Sequence, residues 1–418
     1  MSTSFHYPSD QKYDCRDCPS KCCSVPWRNV LGLEEKRRLE RIPWIQERLQ
    51  KAGVVFEPCG EGFYLLPMLE RDRKVGCLFL DSDGLCSIHR TEGHEAIPVS
   101  CQLFPFEFLQ DPQGEIYVSM SQLCPSIRDS YGNPIEAVLK KRFETHGNQG
   151  RKLSERMDLG HQTELNYAQY TELVQSWIGI LKGSGKLREK LLSIYRRTSF
   201  LQEKLTESKE VSEELWRSLF TAISSKTEEF ERSSVKPQGL IARILVALAL
   251  YRISYPVRVM RSIKFSFKES LQRTVQILKL VQTKGEIDLL YTAGPVSLPH
   301  STKIDSEVES EAVQKLLTRY FLDVLERKNL FEYKRHLLEI VLQLALGYVT
   351  LIRFSKIRAA SRGALKAAPE DYREGMGVVE FAILFHPKQS STDPWMETIL
   401  AMTAQNALSF EKVLNVED

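Results

Sequence analysis

No cysteine follows Cys124 in a chain of 418 residues, although eight stand before it. A disulfide framework across the whole chain is thereby excluded. Net charge is nearly absent too: 57 Lys and Arg face 54 Asp and Glu, leaving +3, so there is no overall electrostatic case for nucleic acid. The first eight residues lack a basic stretch and an apolar stretch, so no cleaved secretory signal is read and the expected location is cytoplasmic. Clean apolar runs of the roughly 20 residues needed for a transmembrane span are missing. Leu240–Tyr251 contains Arg243 and is followed by Arg252, and residues 337–354 contain Glu339, Gln343 and Arg353, so both read as buried helices. Also missing are internal repeats, a low-complexity tract, an H-E-x-x-H pair and a glycine-rich loop between a strand and a helix.

What is present is enough apolar sequence for a sizeable core, with 42% hydrophobic and 27% charged residues. The pattern predicts a mostly α protein: a small irregular cysteine-rich metal-binding head with short β-hairpins over 1–145, then a larger helical body over 161–418. The polar stretch 146–160, with Gly147 and Gly150, is the expected boundary. Within the head, Pro43 divides a charged run beginning at Leu33 into two short helices that Gly53 ends. Residues 77–88 read as a hairpin around the turn Asp81-Ser82-Asp83-Gly84, and residues 104–118 as a second around Asp111-Pro112-Gln113-Gly114. Asn133-Pro134 reads as a helix start.

Helices are expected over 161–182, 186–205, 209–231, 238–251, 257–283, 307–328 and 331–360. Residues 291–299 form a loop between them. An α/β-looking fragment over 378–385 and a final helix over 394–408 close the chain. Arg252, Arg258, Arg261, Lys264 and Lys268 read as a solvated helix face, with peripheral membrane contact as the lesser alternative.

The chemistry concentrates in cysteine. Cys15, Cys18, Cys22 and Cys23 form a C-x2-C-x3-C-C hook; Cys77, Cys86, Cys101 and Cys124 follow beside turns. In a reducing compartment such clustering points to metal ligands or redox groups, and soft sulfur favours zinc or iron-sulfur chemistry over magnesium or calcium. One site with supporting cysteines and two separate sites are both open. Cys59 fits neither group and reads as a structural or reactive thiol. His89 and His94 read first as hydrogen-bonding loop residues and second as nitrogen ligands. Asp81 and Asp83 read as turn residues because the rest of a calcium loop is missing. Tyr291 reads as packing. Trp27 also reads first as packing but, four residues from Cys23, is the better candidate of the two to line a cofactor beside the metal.

In order, Gly76-Cys77-Leu78-Phe79-Leu80, Gly84-Leu85-Cys86-Ser87-Ile88-His89, Cys101-Gln102-Leu103-Phe104-Pro105 and Leu123-Cys124-Pro125, preceded by the hook, resemble the YkgJ-type cysteine-cluster family of zinc- or iron-chelating proteins. The pattern is also similar to the related flagellin lysine N-methylases. The resemblance covers about residues 15–125. It implies that Cys15, Cys18, Cys22, Cys23, Cys77, Cys86, Cys101 and Cys124 are the metal or cluster ligands and that Phe104-Pro105 closes the turn behind Cys101. Two departures stand out: Ala96-Ile97-Pro98-Val99-Ser100 replaces the Arg-Pro pair that many members carry before the third late cysteine, and Cys59 is additional.

Three classes of function follow. The first is a protein lysine N-methylase that uses S-adenosylmethionine, with an iron-sulfur cluster in the head and a protein substrate presenting an exposed lysine. The missing glycine-rich loop argues against an ordinary nucleoside-binding methyltransferase fold. The C-x2-C-x3-C order inverts the usual radical-enzyme spacing, which leaves the late cysteines to complete any cluster. The second class is a non-catalytic zinc or iron module for protein interaction. The third is a redox or metal-handling protein with exchangeable thiols.

Overall fold

A computed structural model of the chain describes residues 5–8, 10–15, 21–24, 29–71, 74–147, 150–160, 163–208, 211–225, 239–254, 267–328, 337–380, 410 and 413–414. The protein is mostly helical, with most of its short strands gathered in its first 166 residues and long helices after them.

The two short helices around Pro43 form as expected. Leu33–Glu40 ends just before Pro43–Ala52, which places its proline at the first turn, where the missing N–H is harmless. Gly53 ends the second helix at φ 63°, a left-handed position that glycine occupies without strain. The second hairpin also forms. Phe106–Gln110 pairs antiparallel with Ile116–Met120, and the Asp111 carboxylate accepts the backbone N–H of Gln113 and of Glu115 in the turn. Phe5–His6 joins one edge of this pair and Arg151–Lys152 the other, both parallel, to make a four-stranded sheet.

Three expectations change. Cys77 belongs to a different hairpin, Met68–Arg71 with Lys74–Cys77, and the turn after it is closed by one bridge between Leu80 and Cys86. The return strand does not develop because the helix Ser87–Glu92 starts at once, with Cys86 as its cap. Asn133-Pro134 is a strand pair with Lys12–Tyr13 rather than a helix start; the helix is Glu136–His146, capped by Ile135. Here cross-strand pairing overrides a local capping signal. Val378 and Val379 end the helix Pro369–Val379, so the fragment 378–385 does not begin as a strand. The rest of that fragment and the expected helix 394–408 lie outside the described residues.

The body is built from Tyr167–Lys182, Leu187–Glu207, Glu213–Ser225, Leu240–Ser254, Phe267–Gln282, Glu311–Glu326, Leu337–Ser361 and Pro369–Val379. Asn166 caps the first by accepting the Gln169 N–H, while the Gln169 side chain accepts the Asn166 N–H in return. Leu337–Ser361 is rich in apolar residues and buried along nearly its whole length, which is the signature of a helix enclosed by others. It packs against Leu187–Glu207, Leu240–Ser254 and Pro369–Val379. It is long and apolar enough to cross a membrane, but 94% of its most apolar window is buried inside the protein. In the loop 291–299, Val296–Ser297 pairs with Glu286–Ile287 and leads into the short helix Leu298–Thr302.

Head and body share one buried apolar cluster, which runs from Leu31, Phe56 and Phe79 through Trp177 and Leu344 to Leu414. A second, smaller cluster lies inside the head, around Tyr13, Phe106, Met120 and Cys124.

Candidate functional site

Close backbone approaches assemble the cysteine region. Lys12–Tyr13 lies against Asn133–Pro134, and the Asp14 N–H donates to Ser126 Oγ at 2.7 Å, which brings Cys15 beside the segment after Cys124. Gly132 permits this. It sits at φ 105°, and a Cβ there would lie 2.5 Å from Asp14 Cβ and 2.7 Å from Asp14 N. Cys23 occupies a single 3₁₀ turn, Lys21–Ser24, and its carbonyl oxygen would lie 3.4 Å from a Cβ added at Gly76, in ordinary contact, which places the hook against the hairpin just before Cys77.

Two late cysteines cap short helices: Cys86 before Ser87–Glu92 and Cys124 before Pro125–Asp129. Cys101 lies within Val99–Leu103. That helix is fixed to the strand Val30–Gly32 and the helix Leu33–Glu40: Glu35 Oε1 accepts the Val99 N–H at 2.8 Å, and Ser100 Oγ donates to the Val30 carbonyl at 2.9 Å. Cys101 Sγ lies 3.6 Å from Asn29 Oδ1. The Phe104–Pro105 peptide behind it is cis.

Cys15, Cys23, Cys77, Cys86, Cys101 and Cys124 thus line one cavity of about 170 Å³. His89 and His94 also face it, their rings 5.5 Å apart and edge to face. Burial lowers the His94 pKa, and the neighbouring His89 acts in the same direction. The Cys86 thiol is pulled down to about 6, first by its hydrogen bond with Cys23; the backbone N–H groups of His89 and Ile88 and the charge of Arg48 add to this, while burial opposes it. Cys86 is therefore prepared to act as a thiolate.

Among the described residues, no three His, Cys, Asp or Glu side chains converge into a group that would hold a metal ion. The sulfurs surround a common space without closing on one point. The donor set suits zinc or an iron-sulfur cluster, and binding either would require sulfurs to draw inward. Cys22 has its backbone in the 3₁₀ turn, but its side chain, like Cys18 and Trp27 entirely, lies outside the described residues.

The other sequence candidates separate from this cavity. Cys59 is exposed on the strand Glu57–Gly60 and does not line it. Asp81 pairs with Arg48 at 2.9 Å and with Arg90, and Asp83 also pairs with Arg90, so two guanidinium groups neutralise the turn. Tyr291 is buried, as a packing residue is.

Sequence spacing did not reveal Arg142, which comes from the helix after the cysteines. It reaches the cavity wall, donates to the Phe104 carbonyl at 3.0 Å, and lies 5.2 Å from the Phe106 ring centroid. Asn29 and Tyr13 also line the cavity. Neither residue lies in a motif, and only the fold brings them to the sulfurs.

Comparison with known proteins adds little to this geometry. No family model matches the chain, and no solved structure matches it. An uncharacterized protein of Methanocaldococcus jannaschii is 28% identical over 117 residues, which cover 28% of this chain and 37% of that protein. The chain thus matches little more than a third of that relative's length.

Proposed function

We propose that the cysteine-lined cavity binds a metal, as an iron-sulfur cluster or zinc, and that the protein works as a metal-dependent cysteine-cluster protein in a reducing, cytoplasmic setting. The observation that carries this reading is the meeting of six cysteines from separate segments of the head around one cavity. Buried free cysteine is common, but of these six only Cys77 and Cys124 are buried, so core packing alone gives no reason for all six to share one space. Cys15, Cys23, Cys77, Cys86, Cys101 and Cys124 supply the candidate ligands, with Cys18 and Cys22 expected to join from the hook.

The resemblance to flagellin lysine N-methylases extends the proposal to methyl transfer from S-adenosylmethionine to a lysine of a protein substrate. In that reading a bound iron-sulfur cluster supplies electron transfer or an open iron position for the donor. The residues of this chain would then hold the group, keep water out and hold the donor; Trp27 is the candidate for holding it. The structural zinc module and the redox or metal-handling protein use the same ligands without methyl transfer.

Anaerobic purification of the full chain tests the proposal. A sulfur-to-iron band near about 400 nm supports the cluster, and stoichiometric zinc without iron supports the structural module. Protein that contains neither metal and takes up neither on reconstitution overturns metal binding. Transfer of a labelled methyl group from S-adenosylmethionine to lysine in an acceptor protein supports the methylase reading, and its absence with a fully loaded cluster removes it.

A further inference from the structure

Away from the cysteines, a groove of about 390 Å³ lies between the head sheet and the body. Lys328 forms part of its wall, together with His6, Tyr117, Gln175 and Glu326. The helix Glu311–Glu326 ends with Arg327 as its cap, and Lys328 follows at φ 60°. That left-handed position favours glycine, and a lysine there costs about 1 kcal/mol in backbone strain. The surrounding structure holds the strain and turns the side chain inward, where Lys328 is only 4% exposed.

Its amine donates to Tyr167 Oη at 2.7 Å and lies 4.0 Å from the Tyr117 ring centroid and 4.8 Å from that of Tyr167. Tyr167 is in turn hydrogen-bonded to Asp111, whose carboxylate is fixed by two backbone N–H groups of the hairpin turn. The other charged groups of the groove have opposite charges beside them. Arg327 meets Asp323 at 2.8 Å and Glu380 at 3.2 Å, Glu326 meets Lys182 at 3.6 Å, and His6 meets Glu115 at 2.8 Å. Among the described residues, no carboxylate stands within ion-pair distance of Lys328. Burial lowers the amine to about 8, with only the more distant Asp111 opposing. A substantial fraction is therefore neutral near physiological pH.

We propose that Lys328 is the reactive amine of a second site, which takes a small aldehyde or ketone and holds it as an imine. The Nζ lone pair attacks the carbonyl carbon, a C–N bond forms as the C=O π bond breaks, and one proton passes from the nitrogen to the oxygen to give a carbinolamine. The C–O bond then breaks as Tyr167 supplies a proton to the departing water, and the proton lost from nitrogen returns to Tyr167. One carbonyl compound and one amine thus give one imine and one water, with no change of oxidation state. The Tyr117 ring in the groove wall favours a carbonyl compound with a flat or apolar body.

The test is reductive trapping on the full-length protein with benzaldehyde and cyanoborohydride, read by peptide mass spectrometry. Lys328 is expected to be labelled about tenfold or more faster than exposed Lys152 at pH 7.5, because burial leaves a substantial fraction of its amine unprotonated. Its rate should level off above about pH 8. Lys328→Met should remove this labelling without abolishing the thermal unfolding transition, and Tyr167→Phe should slow it. Labelling of Lys328 in the unmodified chain no faster than that of Lys152 overturns the proposal, as does a Lys328 rate that keeps rising well above pH 8.

Discussion

The buried Glu380 carboxylate accepts the backbone N–H of Gln122 at 3.0 Å, two residues before Cys124. The same carboxylate accepts from Ser121 Oγ at 2.8 Å and faces the buried Arg327 guanidinium at 3.2 Å. The end of the second hairpin, and with it the approach to Cys124, is therefore tied to the body through a charge network. Removing one member of such a network leaves the remaining charge and the N–H without their partner. Glu380→Ala is expected to lose about 3 kcal/mol in urea unfolding and to reduce metal content along with stability. An unchanged unfolding midpoint would show that the network contributes nothing.

Cysteine substitutions should divide by position. Cys77→Ser and Cys86→Ser remove sulfurs from the cavity and are expected to lower bound metal by at least half. Cys59→Ser changes an exposed strand residue outside the cavity and should leave metal content intact. Elemental analysis of the three purified variants checks this, and loss of metal from the Cys59 variant would redraw the site.

Gly377 lets the body approach the cysteine segment. A Cβ there would fall 2.7 Å from Leu123 Cδ2 and 3.4 Å from Leu123 Cα. Gly377→Ala is expected to cost about 1–3 kcal/mol through overpacking, and combining it with Leu123→Ala should cost less than the sum of the two single changes. A double-mutant cycle by chemical denaturation measures the coupling; strict additivity would mean that the two side chains do not compete for space.

Lys328 gives the fold a pH signature. Its folded pKa lies near 8, below the ordinary lysine value of 10.5. Between those values the unfolded chain binds the proton more fully, so stability should rise with pH across that window. Below about pH 8 both states are protonated, and the unfavourable burial of the charge is present in full. The melting temperature of the native chain, compared with that of Lys328→Met, should therefore improve from pH 8 to pH 10. A constant difference between the two would place the folded pKa at its ordinary value.

Local rules carried much of the head. Pro43 and Gly53 delimit a helix because each restricts the backbone at its own position, and the Asp111 turn closes through its own neighbours. The cysteine spacing located the residues that line the cavity, yet it gave no information on how far apart the sulfurs lie. Asn133-Pro134 was misread because its pairing with Lys12–Tyr13 joins residues about 120 positions apart, which a capping rule cannot see. The return strand after Gly84 failed for a related reason: Cys86 serves as both a bridge residue and a helix cap. Arg142 and Lys328 were invisible because their roles come from burial and backbone direction, neither of which is written in a local pattern.

The bond from Gln122 to Glu380 joins residues 258 positions apart, with the cysteines at the early end. On a ribosome adding about 5–20 residues per second, Glu380 emerges roughly 10–50 s after Gln122. Until then Cys124 and its neighbours lack the surface that fixes them. All the sulfurs are thus synthesised long before their final arrangement can form, and a nascent chain exposes reactive cysteines throughout that interval. Loading after release, or protection during synthesis, follows from the order in which the chain is made.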